Sequence, residues 1–358
     1  MTQRRPTIAD VASRVGVSKS LVSFVFNDRP GVAPQTRERI LATAREMGWR
    51  PRPSARSLSI KRSFALGLVV RRDPSVIAAD SFFPAFISGV ESVLADEGQV
   101  LVLSMVPDEA TEIRAYRTLA DDRRVDGVFL TDLRREDSRL ALLTELGLPA
   151  VTLGRPESES PFPAVTLADQ PGVHQTVEHL RALGHRRIAY VAGDISMLHG
   201  LRRRESFVAA MNEAGLSAEL IEDTDFSAAQ AASATRRLLG RSPRPTAIVY
   251  ASDPMALAGI GAAHAIGLRS PEDVSVAGFD GTDIARYVFP ALTTVVSDPV
   301  AWGRAAASTL LQLVADGHAD DVELSAAQLR IAQSTAPPPG ADPHPPTNHP
   351  SMSSARPE

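Results

Sequence analysis

The sequence predicts an all-α N-terminal domain followed by a larger α/β body of two lobes, each a doubly wound parallel sheet. The first 48 residues carry apolar side chains at helical spacing and no strand pattern. From Phe64 onward, short apolar strands alternate with amphipathic helices. Two stretches of similar size, 64–155 and 160–290, repeat that alternation. Strands that alternate with helices form βαβ units and parallel sheets, so each repeat is expected to form one lobe.

The distribution of charge divides the chain at the same place. Residues 1–62 contain 13 Lys/Arg and 4 Asp/Glu, a net charge of +9. The rest of the chain contains 25 basic and 38 acidic residues, a net charge of −13. A basic head on an acidic body suggests that the head alone binds nucleic acid. An ordinary solvated surface is the alternative interpretation of the same charge.

Several classes of protein are disfavoured by composition. The 358 residues contain no run of ~18 apolar residues, so no transmembrane helix is expected. The N-terminal stretch MTQRRPTIAD lacks the apolar segment of a signal peptide. Because there is no cysteine, disulfides, thiolate metal sites and cysteine nucleophiles are excluded. We expect a soluble cytoplasmic protein.

Three short helices are predicted in the head. Thr7 can cap the first helix together with Asp10, and Gly16 ends it. Ser18 can cap the second helix. Pro34 begins the third, after the loop NDRPGVAP. The predicted inward faces consist of Ile8, Val11, Ala12 and Val15; Val22, Val25 and Phe26; and Ile40, Leu41, Ala44 and Met47.

A linker, the body and a tail follow the head, which we assign to residues 1–48. The linker, 49–63, is extended at its prolines and contains SARSLSI, a single helical turn that would form only against a partner. The body covers residues 64–336. We expect one lobe to comprise about 64–157 and 292–317, and the other about 158–291 and 318–336. The Pro-rich segment 337–358 is predicted to be a disordered tail.

Motifs throughout the ordered chain resemble the LacI/GalR (lactose-repressor) family of bacterial transcription regulators. They are TIADVASRVGVSKSLVSFVFN, TRERILATAREMGWRP, ARSL, LRALGHRRIAYVAG, SDPMALAG, GFDGTDIARYVFPALTTV and STAPP. The resemblance covers residues 7–336. It implies a helix-turn-helix DNA-binding domain, a hinge helix and a periplasmic-binding-protein-like body that binds an effector and dimerises. The implied partners are a near-palindromic operator in double-stranded DNA, a small effector and a second copy of the chain.

The resemblance assigns base reading to Lys19, Ser20 and Phe24 on the second helix. The family commonly has Thr and Arg at the positions of Leu21 and Phe24. Arginine can bond a guanine edge twice, which phenylalanine cannot do. We expect Phe24 to face outward and pack on a thymine methyl group. A core position is the alternative interpretation of this side chain.

Further DNA contacts are implied on either side of that helix. Thr7, Ser18, Arg14, Arg29, Arg37 and Arg50 are candidates for phosphate contacts, which supply affinity rather than sequence choice. In the hinge, Leu58 matches the leucine that wedges into a base step of the minor groove, and Ala55 faces the partner's hinge helix.

Effector binding is implied in the cleft between the lobes. Phe82 and Phe83 match aromatic contact positions, and one of the two is expected to be a core residue. Arg203 and Asp280 match the family's ligand-binding arginine and aspartate, a pair suited to the hydroxyls of a sugar. Ser252 stands where Asn is frequent, and Gly281 and LADQ (167–170) also depart from the family pattern. Asp253-Pro254 is predicted to be a helix cap followed by proline.

The sequence therefore predicts a dimeric repressor of carbohydrate-metabolism genes, controlled by a sugar-like effector. Control by another metabolite or by a protein partner, and action as an activator, remain alternatives. No motif for a catalytic nucleophile, a metal or a phosphate-binding loop is present, so neither enzymatic activity nor a cofactor is expected. A periplasmic binding protein would share the lobed fold but would lack the DNA-binding head.

Overall fold

The computed structural model describes residues 6–26, 29–49 and 62–340. The expected hinge residues Ala55 and Leu58, the candidate phosphate contact Arg50 and tail residues 341–358 lie outside the described residues. The head has three helices, namely α1 (Ile8–Val15), α2 (Lys19–Phe26) and α3 (Pro34–Glu46). Their buried faces meet in one small core of Val11, Ala12, Val15, Val22, Val25, Ile40 and Ala44.

Local sequence signals set the helix ends in the head as predicted. The Thr7 hydroxyl accepts a bond from the Asp10 backbone N–H, and the Asp10 carboxylate accepts one from the Thr7 N–H at 2.8 Å. Gly16 ends α1 in the left-handed region, with φ 77°. The Ser18 hydroxyl accepts a bond from the Leu21 N–H at 3.1 Å, which caps α2. These caps satisfy backbone N–H groups that the helices cannot bond internally.

The body contains two six-stranded sheets flanked by helices. Its helices are α4 (Pro74–Ala79), α5 (Phe82–Asp96), α6 (Glu109–Asp121), α7 (Ser138–Glu145), α8 (Gln170–Ala182), α9 (Leu198–Glu213), α10 (Ala228–Leu239), α11 (Asp253–Ala265) and α12 (Pro299–Asp316). Its strands are β1 (Ala65–Arg71), β2 (Val100–Val106), β3 (Gly127–Leu130), β4 (Ala150–Leu153), β5 (Ala164–Leu167), β6 (Ile188–Ala192), β7 (Ile221–Asp223), β8 (Ala247–Tyr250), β9 (Ser275–Asp280), β10 (Thr293–Val296), β11 (Val322–Leu324) and β12 (Gln328–Arg330).

The sheet of lobe 1 has the order β11-β5-β4-β3-β1-β2, and that of lobe 2 the order β12-β10-β9-β8-β6-β7. All these pairings are parallel except β10 with β12. The predicted fold class is confirmed. The predicted lobe boundaries are wrong at three strands, because β5 and β11 join lobe 1 and β10 joins lobe 2. The alternation of strands and helices predicts where strands occur. The neighbouring strand with which each one pairs decides the sheet to which it belongs. The chain thus crosses between the lobes three times.

Helices α5 and α12 pack closely on one face of lobe 1. A Cβ atom at Gly89 would overlap the Val300 carbonyl oxygen, and one at Gly303 would overlap the Phe86 carbonyl oxygen. The two glycines therefore let the helix backbones approach each other directly. This packing holds the start of α5, which contributes to the cleft, against the sheet.

Candidate functional site

The exposed face of α2 carries the three side chains expected to read bases. Lys19, Ser20 and Phe24 are exposed, whereas Val22 and Val25 are 0% and 2% exposed and belong to the core of the head. Phe24 is 38% exposed, so it lies outside the core as predicted. Base reading itself stays a prediction.

Arginines surround the end of α2. The Arg29 guanidinium lies 5.5 Å from the centre of the Phe24 ring. Arg37 donates to the backbone carbonyl oxygens of Val25 and Arg29, each at 3.3 Å. Arg37 therefore helps to hold the end of α2 in addition to its predicted phosphate contact. Arg14 is exposed, and its phosphate contact stays a prediction.

The cleft between the lobes lies at the carboxyl ends of the parallel strands. It encloses about 800 Å³ of space, including its open mouth. Side chains that follow or end β1, β3, β4, β8 and β9 reach it, as the parallel α/β topology requires. The lining residues that matter for its chemistry are Arg72, Asp80, Phe82, Thr131, Asp132, Asp169, His199, Arg203, Phe226, Ser252, Asp280 and Trp302.

Four of the five predicted effector residues line this cleft, namely Phe82, Arg203, Ser252 and Asp280. Phe83 does not line it. It is 4% exposed and packs in the core of lobe 1, because the first turn of α5 directs one phenylalanine to the cleft and the next to the sheet. Ser252 also has a structural role: its hydroxyl accepts a bond from the Met255 N–H and caps α11.

Asp253 is not the helix cap that the sequence suggested. Its side chain is buried and accepts bonds from the Thr282 N–H and hydroxyl at 2.7 and 2.8 Å, and from the Thr294 hydroxyl. Asp253 thereby fixes the loop that follows β9, just beyond Asp280. The structural character predicted for this position is correct, but its partners are distant in sequence.

The lobe 2 wall is organised around Arg203. Its Nε donates to Asp169 at 2.7 Å and its Nη1 to the Ala251 carbonyl oxygen at 3.0 Å. Asp280 is more distant, at 3.9 Å from Nη1. The guanidinium lies 3.6 Å from the centre of the Phe279 ring. The close partner of Arg203 is thus Asp169. This residue belongs to the LADQ segment, for which the sequence indicated a departure from the family pattern but no contact with Arg203.

Spacing correctly selected Arg203 from three consecutive arginines. Arg202 donates instead to the Arg155 carbonyl oxygen at 2.6 Å, and Arg204 to Asp223 at 3.0 Å. Helical geometry separates the three side chains by about 100° each, so only one can face the cleft. Burial raises the pKa of Asp280 well above its ordinary value, against the opposing attraction of Arg203.

The lobe 1 wall is organised around Arg72, which is not among the effector residues predicted from the sequence. Its Nε and Nη2 donate to the two carboxylate oxygens of Asp132 at 2.7 and 2.6 Å, and its Nη1 donates to Asp80 at 2.8 Å. Burial opposes ionisation of Asp132, but the attraction and hydrogen bonds of Arg72 outweigh it and lower the pKa to about 2. Burial raises the pKa of Asp80 despite Arg72.

Contacts between the lobes come mainly from the start of α9. The Leu198 N–H donates to the Leu133 carbonyl oxygen at 2.7 Å, and Arg202 reaches Arg155 as described above. Phe226 stacks on His199 at 5.4 Å and lies 5.6 Å from the Arg72 guanidinium of the other lobe. Burial lowers the pKa of His199 to about 3, so the imidazole is neutral near pH 7.

Two apolar surfaces are exposed on the body. The edge strand β2 exposes Val100, Leu103 and Met105, which are 58%, 43% and 58% exposed. In lobe 2, Tyr287 and Phe289 are 75% and 92% exposed. An unpaired strand edge and large exposed aromatic side chains are typical of surfaces that another chain covers.

Within residues 6–26, 29–49 and 62–340, no group of three or more His, Asp or Glu side chains is arranged to hold a metal ion. Among the helices of those residues, none is both long and apolar enough to cross a membrane.

Comparison with protein families matches the two parts of the chain separately. Residues 7–52 match the bacterial regulatory proteins, lacI family, and residues 177–335 match the periplasmic binding protein-like domain. The HTH-type transcriptional regulator CelR of Thermobifida fusca is 33% identical over 326 residues, 90% of this chain and 96% of the relative. The HTH-type transcriptional repressor PurR of Klebsiella pneumoniae strain 342 is 32% identical, over 86% of this chain and 90% of the relative.

Solved structures agree with these relatives. A transcriptional regulator CelR–cellobiose complex aligns with a TM-score of 0.70 and 31% identity, over 92% of this chain and 100% of that chain. The lac repressor dimer bound to operator and the anti-inducer ONPF aligns with a TM-score of 0.80 and 28% identity, over 93% of this chain and 100% of that chain. Head, cleft and body are therefore all represented in these similar proteins.

Proposed function

The chain belongs to the LacI family of bacterial regulatory proteins, and from that premise we propose that it is a repressor of carbohydrate-metabolism genes controlled by a sugar-like effector. It is a DNA-binding regulator of transcription, as its relatives are. The effector is proposed to bind between the lobes and to set the affinity of the head for its operator. We propose no catalytic role. An operator on the bacterial chromosome implies action in the cytoplasm.

The cleft is the observation that carries this proposal. Arg203 has a planar fork of donors and Asp280 supplies acceptors, so together they suit neighbouring hydroxyl groups. Phe82 and Trp302 add aromatic faces on which a sugar ring can stack. The solved CelR structure, which this chain resembles, is a complex with cellobiose. An apolar pocket with a few convergent polar groups is the usual form of a small-molecule site.

Coupling to DNA is proposed to pass through the chain that enters lobe 1. Asp126, at the start of β3, accepts bonds from the Ser63 N–H at 2.6 Å and the Phe64 N–H at 2.9 Å. These bonds attach the end of the linker to the sheet whose other end forms the cleft. A change in lobe geometry on effector binding would therefore reach the linker directly. A ligand with different affinity for two lobe arrangements shifts operator affinity through such a connection.

Dimerisation is proposed to use the two exposed apolar surfaces, on β2 and around Phe289. Two-fold symmetry then presents two heads to a near-palindromic operator with half-sites about one helical turn apart. At each half-site, Lys19, Ser20 and Phe24 are proposed to read base edges. Phe24 is proposed to replace a guanine contact by a thymine methyl contact.

Calorimetric titration of the full chain with a panel of mono- and disaccharides tests the effector site. At least one sugar is expected to bind, and Arg203→Lys is expected to weaken it roughly tenfold or more, because lysine keeps the charge but loses the fork. Arg204→Lys, which lies on another helix face, is the matched control and should bind normally. If no sugar binds while operator binding is intact, control by a different metabolite or by a protein partner replaces this proposal.

A further inference from the structure

The charges of the cleft do not balance on the lobe 1 wall. Among the lining residues that the structure describes, Arg72 is the one guanidinium on this wall, and it is shared between two carboxylates, Asp132 and Asp80. All three side chains are largely buried, with side-chain exposures of 8% for Arg72, 8% for Asp132 and 13% for Asp80. When all are ionised, this wall carries a net charge of −1.

The lobe 2 wall repeats the same arrangement. Arg203 is bonded to Asp169 and lies 3.9 Å from Asp280. Its two other close neighbours, the Ala251 carbonyl oxygen and the Phe279 ring, are neutral. One guanidinium again faces two carboxylates, so this wall also carries a net charge of −1 when all three groups are ionised. Burial makes ionisation of Asp280 costly unless a cation lies beside it.

No other side chain among the described lining residues compensates these charges. His199 is the remaining titratable group of the cleft, and burial keeps it neutral by lowering its pKa to about 3. The two walls also act on each other. Burial is the largest cause of the raised pKa of Asp280, and the attraction of Arg203 opposes it. Repulsion from Asp253, and from Asp80 across the cleft in lobe 1, raises this pKa further. A negative electrostatic potential is therefore concentrated between the lobes, where the low effective dielectric constant of the protein interior strengthens it.

The remaining lining suits a positively charged group. Phe82 and Trp302 in lobe 1 present aromatic rings to the cleft, whereas the Phe226 ring of lobe 2 already contacts His199 and Arg72. The face of an aromatic ring attracts a cation, and carboxylates beside aromatic rings are a common setting for ammonium recognition. A neutral polyol would leave both wall charges in place, and a phosphate or carboxylate on the ligand would add to them.

We propose that the effector carries an amino group, and that its ammonium lies between the two walls, beside Asp280 and facing Asp80. This inference rests on the proposed function of the cleft as the effector site. It narrows the sugar-like effector to an amino sugar or a related amine-bearing polyol. The ammonium would replace repulsion between the walls by attraction to both, and so would draw the lobes together on binding.

Calorimetry with ligands that share one skeleton tests the proposal. The full chain would be titrated at pH 7 with chitosan disaccharide, N,N′-diacetylchitobiose, cellobiose and cellobionate. A second series would use glucosamine, galactosamine and mannosamine beside their N-acetyl and parent sugars. In at least one series the amine is expected to bind at least tenfold more tightly than its neutral analogues, a difference in binding free energy of about 1.4 kcal/mol. Anionic analogues are expected not to bind. Equal or tighter binding of the neutral sugars would overturn this inference but leave the sugar-binding proposal standing. Absence of all binding, with operator binding intact, would overturn both.

A variant that lacks one wall carboxylate tests whether the wall charges cause the preference for amine-bearing ligands. Asp80→Asn removes one charge of the lobe 1 wall without altering Asp280, and is expected to reduce the ratio of amine to neutral affinity several-fold. Asp320→Asn removes the same charge from an exposed loop, at 91% side-chain exposure, and should leave the ratio unchanged. If Asp80→Asn does not fold, the wild-type protein provides the second measurement. Its affinity for the amine should fall as pH rises through the amine's own pKa, while affinity for the neutral analogue stays level; parallel pH profiles would contradict the proposal.

Discussion

Thymine recognition by Phe24 can be tested by removing a single methyl group from DNA. Replacing thymine by deoxyuracil opposite Phe24 leaves every hydrogen-bonding group of the base in place. Phe24 is 38% exposed in the free head, so part of its ring is available for contact. Burial of one methyl contributes ~0.8 kcal/mol, which predicts about a fourfold loss of affinity per half-site and about fifteenfold for a symmetric operator.

The assay is fluorescence anisotropy on an operator obtained by selection from random DNA, at one fixed salt concentration. Phe24→Ala should abolish the difference between the thymine and deoxyuracil operators, because the side chain that contacts the methyl is gone. Lys19→Ala is the matched control on the same exposed face; it should weaken both operators and keep their ratio. A selected site with guanine fixed opposite Phe24, or a thymine-to-deoxyuracil affinity ratio that survives Phe24→Ala, would contradict thymine recognition by Phe24.

Three further predictions concern stability, coupling and pH. Gly89→Ala should destabilise the body by ~1–3 kcal/mol in urea unfolding, since its Cβ would overlap the Val300 backbone; Gly261→Ala, with open space around it, should be neutral or stabilising. Asp126→Ala should leave effector affinity near wild type but reduce the effector-induced change in operator affinity, because the linker loses its attachment to β3; an unchanged response would rule out this route. His199 has a folded pKa of about 3, below its ordinary value of 6.5, so its contribution to stability is complete above that ordinary value and is lost as pH falls toward 3. Between pH 7.5 and about 5 the wild type should therefore lose more stability than His199→Gln, by on the order of 1 kcal/mol; equal losses in thermal unfolding would contradict the assignment.

Local signals made the head and the alternation of the body predictable. Thr7 with Asp10, Gly16 and Ser18 each act within a few residues, so their roles in the structure follow directly from the sequence. The assignment of strands to lobes was less predictable. Strand β5, only four residues long, joins lobe 1 through pairing with β4 and β11, and β11 lies more than 150 residues away in sequence. Nothing local distinguishes it from a strand that begins a new sheet.

The cleft shows the same division between local and distant information. Arg203 and Asp280 were found because each matches a family motif. Arg72 and Asp132 belong to no such motif, and their pairing depends on the carboxyl ends of β1 and β3 lying side by side. One signal was available, since charged residues directly follow both apolar strands. The same rule about strand ends that places effectors in α/β clefts selects these residues.

A small ligand between the lobes is proposed to control operator affinity. Fluorescence anisotropy of the selected operator, titrated with the full chain in the absence and presence of a saturating sugar from the panel, measures this coupling directly. We expect at least a fivefold change in operator affinity, about 1 kcal/mol of coupling, and loss of that change in Arg203→Lys at the same sugar concentration. An operator affinity that stays constant when the cleft is occupied would contradict it.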